Sequence, residues 1–101
     1  VADTTDRAGG NPANTRNFWP QSEALRALLY DALAGPCRHR CALRRVADFV
    51  WNHAIDHECG GWYTATDGSG TPTNPDKGGI WKLDYHPVSL ADEALRLLAA
   101  R

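Results

Sequence analysis

The chain has 101 residues, 43% of them hydrophobic and 23% charged, with a formal net charge of −1, the composition of one soluble globular unit and not of a disordered tail. No apolar run approaches the roughly 18 residues a membrane span needs, and the charge balance lacks the basic excess of a domain built to grip phosphates, so neither a membrane nor a nucleic-acid partner is expected. Three cysteines cannot close a disulfide framework, which favours free thiols and a cytoplasmic location. The start, Val1 to Arg7, is acidic where a signal peptide would be basic and then apolar, and it has no initiating Met, so the expectation is a trimmed chain or a piece of a longer one.

In chain order, residues 1–17 are rich in Asp, Thr, Gly, Asn and Pro without hydrophobic period and read as a loop. Pro20 suits a first helical turn, and Leu25, Leu28, Leu29 and Ala32 recur at three- and four-residue steps until Gly35-Pro36, which predicts a helix over 20–34. A second amphipathic run, 42–57, sets Leu43, Val46, Phe49, Val50 and Ala54 against Arg44, Arg45, Asp48 and Asn52, and Gly60-Gly61 follows its end. Trp62 to Thr66 is β-prone and runs into the turn Asp67-Gly68-Ser69-Gly70, giving a short β-like hairpin over about 62–73. A last helix is predicted over 87–100, from Pro87 through Leu90, Ala91, Ala94, Leu95 and Leu98. The class is therefore all-α. A connection of some 30 residues is long for a compact domain, so the helices read as units of a larger helical array.

Two constellations carry candidate chemistry. Trp19 and Glu23 lie four apart at a helix start, where an indole can stack on a sugar while the carboxylate accepts from its hydroxyls; the same spacing also suits a staple with an acid favoured by the helix dipole. Lys77 to Pro87 brings Trp81, Asp84, Tyr85 and His86 together just before the last predicted helix, and a histidine in such company can move protons at neutral pH or simply be a hydrogen-bonded structural group.

Other signals are weaker. Cys37, Cys41, His53 and His57 come within one residue of a zinc-finger spacing, but Cys41 adjoins a helical run where a finger needs a hairpin. Arg38, His39, Arg40, Arg44 and Arg45 read as a solvated helix face. Asp67 to Gly70 lacks the further acidic ligands of a calcium loop. A small non-catalytic helical or zinc-binding module is the alternative these residues leave.

Trp19-Pro20-Gln21-Ser22-Glu23-Ala24, then His57-Glu58-Cys59-Gly60-Gly61-Trp62-Tyr63, then Lys77 with Trp81-Lys82 and Tyr85-His86, resemble in order the carboxyl-terminal part of the N-acylglucosamine 2-epimerase superfamily, which includes mannose isomerase and cellobiose 2-epimerase. The likeness runs over about residues 17 to 100. It implies an (α/α)6 barrel some four times this length, with this chain its last quarter and its substrate a free hexose, N-acyl-hexosamine or disaccharide. It further implies that His86 is one of two catalytic histidines, Glu23 a catalytic-pocket carboxylate, and Trp19 and Trp81 substrate-binding aromatics, with no metal and no cofactor. The chemistry would take the proton α to the open-chain carbonyl and return it to the other face or the next carbon. The partner histidine would precede Val1, and His53 and His57, in an outer-helix segment, are not candidates for it; the fragment alone is expected to be inactive. Ser89 stands where some branches carry Arg, which leans toward the mannose isomerases. The oligomeric state is not legible.

Overall fold

The structure, a computed structural model, describes residues 14–35, 38–74, 76–80 and 82–100. Its elements in order are strand β1 (Thr15–Asn17), helix α1 (Phe18–Ala34), helix α2 (Arg40–Phe49) running into a π-helical turn (Val50–Ala54), strand β2 (Ala65–Asp67) and helix α3 (Tyr85–Ala99). α1 is the central element and packs against both α2 and α3. The result is a flat body of 38 × 36 × 23 Å.

The three predicted helices are present, with shifted ends. α1 and α3 each begin two residues before the predicted proline start, at Phe18 and Tyr85. Pro20 and Pro87 sit within the first turn, where the missing N–H has no intrahelical acceptor to lose. The second helix stops at Ala54 instead of reaching 57. Asp56 ends it by offering a competing partner, since its Oδ1 accepts from the Glu58 amide at 2.9 Å and the Cys59 amide at 3.0 Å. Ile55 is already extended and bridges Trp62 across the turn.

The loop expected over 1–17 is corrected at its end. Thr15–Asn17 form β1, paired antiparallel with β2 in the register Thr15 to Asp67, Arg16 to Thr66 and Asn17 to Ala65. Three residues are too few to show a period, and their partner lies about fifty positions on. The β-like element predicted near 62–73 is thus β2, whose ladder partner is β1. Its turn is built as read: Asp67 Oδ1 accepts from the Ser69 amide and hydroxyl and from the Thr71 amide at 2.7–3.0 Å, and Gly70 takes φ +90° where a side chain would strike the His53 ring.

Among the described residues the buried apolar ones are few: Phe18, Val50, Ala54 and Ala65. They gather where the π-turn, β2 and the start of α1 meet, and the Phe18 amide donates to the Thr64 carbonyl at 3.0 Å. None of the described α3 residues is fully buried. One face of α3, with His86, Leu90, Glu93 and Leu97, is half-buried; the other, with Val88, Ala91, Leu95 and Leu98, is exposed. The fold therefore fixes the α1–α3 contact and leaves the far side of α3 open.

Candidate active site

Phe18 anchors the beginning of α1 in the core at 5% exposure, and this aims the next residues at the first turn of α3. Ser22 is fully buried and its hydroxyl donates to the Phe18 carbonyl at 3.0 Å. One residue further, Glu23 faces α3. Its Oε1 accepts from His86 Nδ1 at 2.7 Å, and both its oxygens lie 3.0 Å from Arg26 Nη1. Arg26 then forks across to α3, with Nε 3.1 Å and Nη2 2.6 Å from the two oxygens of Glu93.

Three rings enclose the histidine. Trp19 lies with its ring centroid 5.9 Å from His86, tilted by 35°, Tyr85 at 3.9 Å and Phe18 edge-on at 6.2 Å. Trp19 is half exposed, so its indole face is open on the side away from the protein. Phe18, Trp19, Ile80, Leu83, Tyr85 and His86 line a cavity of roughly 290 Å³. A second cavity of roughly 390 Å³ shares Phe18, Trp19 and Ile80 and adds Asn17, Thr64, Asn74 and Lys82. A larger depression of roughly 630 Å³ runs along Gly60–Trp62 and the Pro87–Ala91 flank of α3, but His86 does not line it. The smaller pair is the better site because it holds the histidine, the aromatic platform and polar groups together.

The electrostatics follow from the geometry. The hydrogen bond from His86 and the charge of Arg26 hold Glu23 below its ordinary value, against a partial burial that pushes it up. Arg26 does the same for Glu93, and between two carboxylates the guanidinium is held even more firmly protonated than usual. An ionised carboxylate only accepts, so His86 Nδ1 is the donor in this contact, which leaves Nε2 as the ring nitrogen not engaged by Glu23. The arrangement is an imidazole oriented by a carboxylate beside an aromatic wall.

Of the residues singled out in the sequence, Trp19, Glu23 and His86 come together here, while Trp81 lies outside the described residues. His86 is inside the first turn of α3 and not ahead of it as read. Arg26 and Glu93 were not foreseen; Arg26, three after Glu23 on one helix, carried a local signal, whereas Glu93 is reached only across the fold. Of the zinc-spaced set, Cys37 lies outside the described residues, His53 packs on Phe49 and the His57 Nε2 is bonded to the Trp51 carbonyl. Among the described residues no group of three or more His, Cys, Asp or Glu is placed to hold a metal ion, and no helix is long and apolar enough to cross a membrane.

Comparison with known proteins puts this helical segment among the sugar epimerases and isomerases. The chain belongs to the N-acylglucosamine 2-epimerase (GlcNAc 2-epimerase) family, whose model matches residues 1–89. It is 35% identical over 83 residues to a D-mannose isomerase of Marinomonas mediterranea, an alignment spanning 80% of this chain and 21% of that protein. The crystal structure of a D-mannose isomerase superposes with a TM-score of 0.76 at 29% identity, covering 91% of this chain and 24% of the other. The cellobiose 2-epimerase of Spirochaeta thermophila gives 0.74 at 31% identity, covering 90% and 23%. These relatives are (α/α)6 barrels, and the chain spans about a quarter of their length, so its three helices form a partial barrel.

Proposed function

We propose that this chain is the carboxyl-terminal quarter of a cytoplasmic sugar isomerase or 2-epimerase, and that His86 transfers the proton. The observation that carries the reading is the 2.7 Å contact of Glu23 with His86 Nδ1 beside the exposed face of Trp19. The substrate is a free sugar in its open-chain form, D-mannose in first place because a relative of that activity matches most of the chain. N-acyl-hexosamines and disaccharides follow.

In this mechanism the sugar stacks on Trp19, with Trp81 as a second contact. His86 Nε2 exchanges a proton with the carbon α to the carbonyl, or with the carbonyl oxygen, while Glu23 holds the opposite nitrogen. Removing the α-proton leaves an enediolate. Return of the proton to the other face of the same carbon gives the epimer, and return to the former carbonyl carbon gives the ketose. A second acid–base group, supplied by the rest of the barrel, is needed to complete the cycle, and for that reason this 101-residue piece turns over nothing by itself.

The test uses a full-length protein that carries this sequence, offered D-mannose, cellobiose and N-acetylglucosamine in deuterated water. The expected result is exchange of the hydrogen at C2 of at least one sugar. In His86→Asn the rate should fall by about 10²–10⁴, the usual contribution of general acid–base catalysis, with the melting temperature nearly unchanged. Exchange at the wild-type rate in that variant overturns the assignment.

A further inference from the structure

We propose that Arg26, clamped by Glu93, is a positioning residue that sets both the direction and the charge of the Glu23–His86 pair. This rests on the proton-transfer reading of His86 given above.

The four side chains form one chain of contacts between two helices, from His86 through Glu23 and Arg26 to Glu93. Glu23 and Arg26 are one turn apart on α1, and His86 and Glu93 are two turns apart on α3. Glu23 touches His86 at 2.7 Å, Arg26 touches both Glu23 oxygens at 3.0 Å, and Arg26 forks onto Glu93 at 2.6 and 3.1 Å. A glutamate has three rotatable bonds and at Glu23 is over a third exposed, so a carboxylate held only by the imidazole would sample other rotamers. The guanidinium removes that freedom, and Glu93 removes the guanidinium's, because a forked arginine–carboxylate pair fixes a plane as well as a distance.

Charge is the second effect. With His86 neutral the four side chains carry two negative charges and one positive, and with His86 protonated they are balanced. Arg26 therefore limits how strongly Glu23 favours the imidazolium, and Glu93 in turn limits Arg26. Among the described residues the other titratable or charged groups around the pair are Tyr85, whose ring lies 3.9 Å from that of His86, Tyr30, bonded to Glu93, and Lys82, over the Phe18 ring at 5.0 Å and paired at 3.0 Å with Asp84 at the start of α3.

Two variants separate this role from ordinary helix stapling. Arg26→Gln strips the cation that balances Glu23, so the carboxylate at His86 acts uncompensated and the pair keeps its proton to higher pH. The acid limb of the pH–rate profile should then move up by half a pH unit or more, roughly, for charges this close but partly solvated. Glu93→Gln frees Arg26 to act on Glu23 alone, and the same limb should move down. A purely structural bridge would lower the melting temperature in both and move neither limb. Arg26→Lys, which restores charge without the fork, should return the limb to its wild-type position while kcat stays several-fold low.

The measurement is C2-hydrogen exchange against pH in the full-length protein, on whichever of D-mannose or cellobiose it exchanges, with His86→Asn alongside. Opposite shifts in Arg26→Gln and Glu93→Gln are the expected result. Loss of exchange in His86→Asn with both limbs unmoved overturns the role of Arg26 alone, whereas wild-type exchange in His86→Asn overturns the reading beneath it. Should Arg26→Gln not fold, Glu93→Gln decides, since it leaves every contact of Glu23 in place and an unmoved limb there is sufficient to reject the proposal.

Discussion

Glu23 and His86 stand 63 positions apart in the chain and 2.7 Å apart in space, one on α1 and the other in the first turn of α3. The contacts of the carboxylate are His86 and Arg26. In the proposed mechanism it acts through the imidazole, and the two side chains should therefore respond unequally to substitution.

Glu23→Gln keeps the shape of the side chain and still accepts from Nδ1, but it removes the charge that makes the contact strong. A partner of this kind, acting through another residue, typically contributes about 10–100-fold, against the 10²–10⁴ expected for His86→Asn. Steady-state kinetics of the two single variants and of the double should show Glu23→Gln as the milder, with the double no worse than His86→Asn. A Glu23→Gln defect equal to or larger than that of His86→Asn would mean that Glu23 itself meets the reacting atoms.

Trp19 offers a different signature. The residue is 51% exposed, so little core is lost on truncation, and it lines the cavity beside His86, where the proposed mechanism has the sugar stack. Trp19→Ala should raise KM about 3–10-fold, the equivalent of one aromatic stacking contact, with a smaller fall in kcat and a nearly unchanged melting temperature. An unchanged KM would remove Trp19 from the binding surface.

The helices were legible because Leu25, Leu28, Leu29 and Ala32, and likewise Leu90, Ala94 and Leu98, repeat at helical steps, and a period survives without knowledge of the partner. Helix ends were less so: Asp56 halts the second helix through two amide bonds to its own side chain, a local competition that an apolar pattern does not register. β1 left no trace because three residues have no period and their ladder partner is far along the chain. At the site, Trp19 and Glu23 were visible as neighbours on one turn. Their meeting with His86 was expected only through the family resemblance, and the Arg26–Glu93 clamp needed the crossing of α1 on α3.

A pH effect on stability should come from Asp56. Its Oδ2 lies 2.5 Å from Lys77 Nζ, which also donates to the Gly60 carbonyl at 2.8 Å, and this ties the segment carrying Ile80 to the end of the second helix. The Lys77 bond, with the Cys59 and Glu58 amides, draws the Asp56 carboxyl down to about 2 from its ordinary 3.8, and Lys77 is raised in return by Asp56. A depressed carboxylate stabilises the fold above its unfolded value and loses that contribution as pH falls toward the folded one. Wild type should thus melt above Asp56→Asn at pH 6, and the gap should narrow between about pH 4 and pH 2. A gap that stays constant across that window would show the Asp56 charge to be without effect on stability.

The far face of α3 leads to the last expectation. Val88, Leu95 and Leu98 are 63%, 71% and 56% exposed, and with Ala91 they recur at three- and four-residue steps, the stripe of a helix that packs on a neighbour. The opposite face already meets α1 and carries the half-buried Leu90 and Leu97 beside His86 and Glu93, so α3 has apolar residues on two sides, as a helix packed between two neighbours has. The relatives are about four times as long as this chain, and a contiguous apolar stripe on an isolated piece associates with whatever apolar surface is available. Expressed alone, the 101 residues should sediment as concentration-dependent oligomers and bind a hydrophobic dye, and Leu95→Glu, which charges the middle of the stripe without touching the α1 contact, should shift them toward monomer with the helical circular dichroism retained. If the isolated chain is monomeric and dye-negative at every concentration, the stripe is not a buried barrel surface, and α3 ends the helical packing instead of continuing it.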